Sequence, residues 1–404
     1  MNNIEDNSIN SCNGCGACTV VCPVNAIDYK LNQNGFFQSY VDREKCIQCG
    51  KCKKVCPRFL ENNVLGKNIE LGKVYSAQSK EKEVLETTTS GGIAYEIARY
   101  GIKNGFEILG TKYDYEEHIA KAIIVDNEEK LEELKGSKYL QSFTKDAIQD
   151  LVKKCKENEE KKFIVFGLPC QIAGITKMIE VNKIKNKILK IELFCHGVPS
   201  YLVWENYRKY LKEKYKVENF DKINFRDKTK SWHRYYINII KKDKIIYEKN
   251  NDNDLFYKAF FDNILLNESC QTCEFRKNYS MADIRLGDYW GKRYSNREDG
   301  ISAILVLSNN GQEILNDVIA ENRIEIIDET STEECISVQS RNDYKHTELR
   351  EDAFMNLKNE KKLEVVIKNY RKKMPIKLKV KYLGKKFCAI LPNETRNFLK
   401  KFYR

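Results

Sequence analysis

No run of residues in this 404-residue chain approaches the roughly 18 apolar residues that a membrane-spanning helix needs. The first ten residues, MNNIEDNSIN, are polar and acidic and offer no apolar segment for a secretory signal, so a cytoplasmic chain is expected. Acidic residues are nearly missing from one stretch only. Residues 366–404 hold 13 Lys and Arg against the single acid Glu394, while the other 365 residues hold 57 of each sign. The formal net charge of +12 therefore belongs to this tail, and the chemical part of the chain lacks the basic excess that would argue for nucleic-acid binding. The tail mixes its cations with Tyr370, Tyr382, Phe387, Phe398, Phe402 and Tyr403. Two readings stand for it: a solvated helical end, or weak contact with an anionic membrane surface or an acidic partner.

What the chain does have is cysteine. A reducing compartment does not support a disulfide framework, so fifteen cysteines point to metal or redox use. Cys12, Cys15, Cys18 and Cys22 precede Pro23, and Cys46, Cys49, Cys52 and Cys56 precede Pro57, which is CxxCxxCxxxCP written twice. Three close thiolates can hold three irons of a cubane on one loop, while the fourth crosses to the other cluster. This assigns one 4Fe-4S cluster to Cys12, Cys15, Cys18 and Cys56, and the other to Cys46, Cys49, Cys52 and Cys22. Zinc, the alternative, does not call for two interleaved sets. Gly14, Gly16 and Gly50 let the backbone fold tightly and aim amides at sulfur. Residues 1–60 are thus predicted as a bacterial-type two-cluster ferredoxin domain, and 61–73 as a polar linker.

Residues 74–345 read as a mixed α/β (α+β) domain, followed by a basic helical extension over 346–404. FEILGTKYD and AKAIIVD read as paired strands, and TSGG opens a helix that stops at Gly105. KFIVF, CQIAGITKMIE, ILKIELF and YLVWENYRKYLKEKY alternate strand and helix, which predicts a βαβ unit with parallel strands. RYYINIIKKDKIIYE reads as an antiparallel hairpin and SAILVLS as a buried strand. If the βαβ unit holds, Cys170 and Cys195 emerge on one sheet edge, and Cys270 and Cys273 of CQTC complete a set of four. A third cluster is the favoured reading. Zinc bound by the same thiols, and a Cys170 nucleophile with His196 as base, are the alternatives. Cys155, Cys335 and Cys388 are read as structural.

The doubled cysteine motif, together with TSGGI, KGSKYLQS, GLPCQIAG, FCHGVPS, CQTCEF and ADIRLGDYWG, resembles the beta subunit of coenzyme F-420 hydrogenase/dehydrogenase with an N-terminal ferredoxin domain in front. The resemblance covers most of residues 8 to 350. It implies a flavin-binding domain with FAD, a 4Fe-4S cluster beside it, and hydride exchange with a deazaflavin-type coenzyme. A hydride carries two electrons and a cluster takes one, so a flavin between them supplies the conversion. On this resemblance Thr89, Ser90, Gly91 and Gly92 open a helix whose amides favour the FAD pyrophosphate, with an ordinary N-cap as the alternative. Lys138 stands by a phosphate or the flavin ring, Gln141 at the ring edge, and Asp283, Gly287 and Asp288 along the flavin or substrate cleft. Tyr289 and Trp290 read equally as core. His196 tunes the cluster or relays a proton, or is a hydrogen-bonded structural histidine. The catalytic candidates are Lys138, His196 and Asp288. The expected partners are a small hydride carrier and a ferredoxin-like protein. The alternative is an electron-transfer protein that feeds a separate reductase, with NAD(P)H or reduced ferredoxin in place of coenzyme F-420.

Overall fold

A computed structural model of the chain describes residues 2–5, 11–60, 66–339, 342–344, 347–376, 379–380 and 384. Its centre is a nine-stranded sheet. From one edge to the other it runs Ile324–Thr330, Lys73–Ser79, Ser302–Val306, Ile284–Asp288, Ile188–Leu193, Lys162–Gly167, Phe106–Asp114, Ile119–Val125 and Ser142–Phe143. The four strands Ile284–Asp288, Ile188–Leu193, Lys162–Gly167 and Phe106–Asp114 are mutually parallel. The predicted βαβ unit is present, with helix Pro169–Asn182 between its strands. Phe106–Asp114 pairs antiparallel with Ile119–Val125 as expected. The hairpin of Tyr236–Lys241 and Lys244–Asn250 lies in a separate three-stranded sheet.

Central strands of such a sheet are covered on both faces and so read as continuous apolar runs. All five residues of Ser302–Val306 are buried, as are Phe163, Ile164 and Val165. Helices Ile93–Lys103 and Asn309–Ala320 pack through Ile93, Ile97, Ile314 and Leu315 against one face, while Lys145–Glu157 and Pro169–Asn182 contribute Ile148, Leu151 and Ile172 to the other.

The N-terminal unit is built into this body. Its hairpin, Ile27–Leu31 paired with Phe37–Val41, brings Tyr29, Phe36 and Phe37 into one core with Tyr201 and Trp204 of helix Tyr201–Tyr215. The hairpin turn caps that helix: Ser200 Oγ donates to Asn34 O at 2.5 Å, and Tyr201 N donates to Gly35 O at 2.8 Å. Gly35 has φ +73°, and an added Cβ there would lie 2.7 Å from Leu202 N, so only glycine fits.

Two expectations need correction. Residues 66–73, read as a polar linker, are packed into the fold, because Lys67–Asn68 pairs with Tyr279–Ser280 and Ile69 is fully buried beside Trp232 and Tyr289. The start of the basic tail is likewise docked. Helix Leu363–Lys373 buries Val366, Ile367 and Tyr370 in the core holding Tyr207 and Leu211, and Arg371 Nε bonds Asp262 Oδ2 at 2.8 Å. Its apolar stripe was hidden among the lysines. The rest of the tail, with Cys388, lies outside the described residues apart from 374–376, 379–380 and 384. Among the described residues no helix is long and apolar enough to cross a membrane.

Candidate functional site

The first cysteine motif turns into the short helix Ala17–Val20, N-capped by Gly16 at φ 77°. Burial raises the Cys18 thiol most, and the charges of Cys12, Cys15 and Cys56 raise it further, so these four thiols share one neighbourhood. Burial, with Cys12 beside it, pushes Cys15 up to about 12. Cys22, Cys46, Cys49 and Cys52 instead line a single cavity with Asn2 and Asn3. N–H groups are aimed at sulfur in both sets. Gly14 N lies 3.3 Å from Cys12 Sγ, Ala26 N 3.2 Å from Cys22 Sγ, and Asn3 Nδ2 3.6 Å from Cys46 Sγ. Such donors suit thiolates bearing the charge of a cluster.

The remaining four thiols meet at the carboxyl edge of the parallel strands. Lys162–Gly167 delivers Cys170 in the first turn of its helix, and Ile188–Leu193 delivers Cys195 two residues beyond its end. Cys270 closes a 3-10 turn and Cys273 caps helix Glu274–Lys277. Burial is the chief cause raising the Cys170 thiol, followed by the charges of Cys273, Cys195, Cys15 and Cys270. Those neighbours include Cys15 of the first motif. An added Cβ on Gly174, one helical turn after Cys170, would lie 2.9 Å from Cys15 Sγ. The glycine lets the N-terminal unit close on this helix. Gly197 does the same for the CQTC loop, since its Cβ would lie 3.3 Å from Cys270 Cβ. Arg276 then pins the loop, its guanidinium donating to Cys270 O at 2.6 Å and His196 O at 3.3 Å. Among the described residues no three or more His, Cys, Asp or Glu side chains converge on the position of a single metal ion.

Further along the same edge stands a cluster of charge and rings. Asp288, at the end of its strand, receives two bonds from Arg226, at 2.5 and 2.7 Å, and a third from Trp232 Nε1 at 2.7 Å. Trp232 stacks on Trp290 with ring centres 5.1 Å apart, and Arg226 lies over the Tyr235 ring. Lys228 is buried, its amine bonded to Ser90 O and Asp299 O, and burial pushes it down to about 8. Arg226, Lys228 and Trp232 were missed in the sequence, where FRDKTKSW looks like an ordinary solvated turn. TSGG meets this cluster. Gly91 N donates to Ser302 Oγ at 3.0 Å, Thr89 is half-buried, and Gly92, at φ 82°, caps helix Ile93–Lys103, its carbonyl accepting from Tyr95 N and Glu96 N at 3.1 Å. Gly287 packs so closely on Phe194 that a Cβ would lie 2.7 Å from its ring.

Two candidates, Gln141 and Asp283, are placed elsewhere. Gln141 is buried and clamps the N-terminal unit, accepting from Phe37 N at 2.6 Å and donating to Phe37 O at 3.2 Å and Asn13 O at 3.3 Å, which leaves no group for a flavin ring. Asp283 sits at the opposite end of its strand from Asp288, accepting from Lys190 N and Ser308 Oγ, and so does not line this edge. Lys138 caps helix Glu128–Leu134, donating to the carbonyls of Glu133, Leu134 and Lys135 at 2.9 to 3.1 Å. His196 is bracketed by Asn263 Oδ1 at 2.6 Å and Tyr344 Oη at 3.3 Å, and its ring meets Phe260. Cys155 and Cys335 are buried core residues.

The fold and its thiols define an iron-sulfur protein of mixed α/β architecture. Residues 11–59 match the 4Fe-4S dicluster domain, and residues 160–332 match the family described as the C terminus of the coenzyme F420 hydrogenase/dehydrogenase beta subunit. The chain therefore joins those two domains. It is 28% identical over 347 residues to the coenzyme F420-dependent sulfite reductase of Methanocaldococcus jannaschii, covering 79% of this chain and 47% of that protein. It is 25% identical over 195 residues to one of the subunits of the F(420)H(2) dehydrogenase of Methanosarcina mazei, covering 46% of this chain and 53% of that protein. The chain spans about half the length of these curated relatives. A chain of the F420-reducing NiFe hydrogenase complex of Methanosarcina barkeri is also similar, at 19% identity and a TM-score of 0.46, over 79% of this chain and 97% of that one.

Proposed function

We propose that the protein is an iron-sulfur flavoprotein oxidoreductase that exchanges a hydride between a deazaflavin-type coenzyme and FAD and passes single electrons through three 4Fe-4S clusters. One observation carries the reading: Cys170, Cys195, Cys270 and Cys273 gather on one sheet edge, with Cys15 of the ferredoxin motif on one side and the Arg226–Asp288 cluster along the same edge. Open α/β sheets bind ligands at the carboxyl ends of their strands. The residues there fit an anionic, ring-bearing group. Lys228 and the N-terminal end of helix Ile93–Lys103 offer positive charge to a diphosphate, Arg226 Nε is buried without a hydrogen-bond partner, and Trp290, half-buried and stacked on the buried Trp232, supplies a flat apolar surface. Bound FAD supplies the exchange between hydride and single-electron chemistry. Asp288 fixes Arg226, Gly197 and Arg276 hold the CQTC loop against Cys195, and Gly174 admits the first ferredoxin cluster to the thiols of the third.

A second reading has the chain as an electron-transfer protein that feeds a separate reductase, in line with the relative named as a coenzyme F420-dependent sulfite reductase. Anaerobic purification with iron and flavin analysis tests the cofactors, with about twelve irons and one FAD expected. Stopped-flow mixing with reduced F-420, NADH and NADPH then separates the readings. Flavin bleaching by reduced F-420 supports the first, and no bleaching by any of the three donors rejects it.

A further inference from the structure

The second cysteine motif differs from the first in what surrounds it. Residues 42–54 hold Arg43, Lys45, Lys51, Lys53 and Lys54 against Asp42 and Glu44. Lys45, Lys51 and Lys54 are exposed, Lys45 in a surface ion pair with Asp42 at 2.9 Å, and Arg43 pairs with Glu5 at 3.0 Å. Between them Cys49 is itself exposed, Ile47 is 61% exposed and Val24 is 37% exposed. Val24, Ile47, Cys49 and Lys51 form the outer wall of the cavity that Cys22, Cys46 and Cys52 also line, so they lie over the second set of thiols. An apolar centre of this size within a cationic rim is the form of a weak, transient redox interface, where charge steers encounter and a small dry contact permits transfer.

We infer that this tip is the docking surface for a small electron-carrier protein with an acidic face. The inference rests on the proposed function and adds to it where electrons cross to the partner. One electron leaves the cluster held by Cys22, Cys46, Cys49 and Cys52, which is oxidised by one unit, and enters the carrier's iron-sulfur centre, which is reduced by one; no bond is made or broken and no proton moves. Charge complementarity selects the occupant. The rim is cationic, while its centre is an exposed apolar wall, Val24 and Ile47, beside the exposed ligand Cys49, an arrangement a lipid headgroup does not need.

The test uses the full-length holoprotein and, as probe, a two-cluster 4Fe-4S ferredoxin of net negative charge, with binding followed by calorimetry at low and high salt. Lys45→Glu/Lys51→Glu/Lys54→Glu is expected to weaken binding at least about tenfold and flatten its salt dependence, whereas Lys209→Glu/Lys212→Glu/Lys216→Glu on a distant helix changes it little. Should Lys51→Glu cost iron, Lys45→Glu/Lys54→Glu keeps the question open to measurement, with at least about threefold weakening expected. Equal affinity of the tip and distant variants overturns the docking surface even where about twelve irons and one FAD uphold the proposed function. Preferential binding of vesicles of anionic lipid over the ferredoxin, lost with the same lysines, overturns it in favour of a membrane. A holoprotein without iron overturns both.

Discussion

The two cysteine motifs share one spacing and differ in nearly everything between the thiols. From Cys12 to Cys22 there is no charged residue; Ala17 is fully buried, and Cys15 and Cys18 are 7% and 6% exposed. From Cys46 to Cys56 there are Lys51, Lys53 and Lys54, and Cys49 lies open. Spacing sets which thiols can share a cubane, while the intervening residues set where that cubane sits in a path. The same contrast holds for charge. At the buried end, ions are paired inside the protein, as in Arg226–Asp288 and Arg285–Glu192. At the open end Lys51 and Lys54 face water, where their charge can attract a partner, and Lys45 makes only a surface pair with Asp42.

The comparison breaks most plainly at the iron. On the proposed three-cluster reading, Cys15→Ser and Cys49→Ser should each lose about four of about twelve irons. With electrons supplied at the proposed flavin, Cys15→Ser should leave the outer cluster oxidised, while Cys49→Ser should leave the inner cluster reducible; electron paramagnetic resonance reads both. Reduction of the outer cluster in Cys15→Ser would reverse the order of the two. Next in size, Asp288→Asn strands the buried Arg226 without its counter-charge and should cost about 3–5 kcal/mol in denaturant unfolding. Gly174→Ala places a methyl against Cys15 and should cost about 1–3 kcal/mol, with slower transfer between the inner and third clusters.

Much of this was legible in the sequence where a local pattern carries the information. The doubled motif, the alternation around Phe163–Val165 and Leu189–Ile191, and the convergence of Cys170 with Cys195 all follow from spacing and the parallel βαβ geometry. The failures share a cause. Gln141 meets Phe37 across 104 positions, and Arg226 meets Asp288 across 62. A polar side chain whose partner lies in another segment looks the same in sequence as one facing water. Asp283 and Asp288 sit five positions apart on one strand, yet its opposite ends give one a structural place and the other the edge with the thiols. Helix Leu363–Lys373 hid a buried stripe under its lysines because composition averages over faces that periodicity separates.

Lys228 sharpens the buried side through pH. Its folded value of about 8 lies below the ordinary 10.5, chiefly through burial. Between those values the unfolded chain keeps a proton that the folded chain releases, so stability rises with pH across the window. The gain should be about 1–1.5 kcal/mol from about pH 7 to about pH 9 in the flavin-free protein. Lys228→Met should lower the slope by that amount and leave the share of Lys138, which burial pushes down to about 7; a slope unchanged in the variant would place its origin elsewhere.

The smallest effect is expected where the charges face water. Lys51→Gln/Lys54→Gln removes two cations from the tip without emptying a cavity or stranding a buried partner, so unfolding should move by no more than about 0.5 kcal/mol. The same pair of changes should lower the salt dependence of electron transfer to an acidic carrier, because encounter there depends on unscreened long-range attraction. Stability and salt response are thus expected to separate at the open motif and to move together at the buried one, where removing a charge removes a packing partner as well. A stability loss at Lys51 and Lys54 approaching that of Asp288→Asn would mean the tip's lysines are built into the fold, and the distinction between the two motifs would reduce to exposure alone.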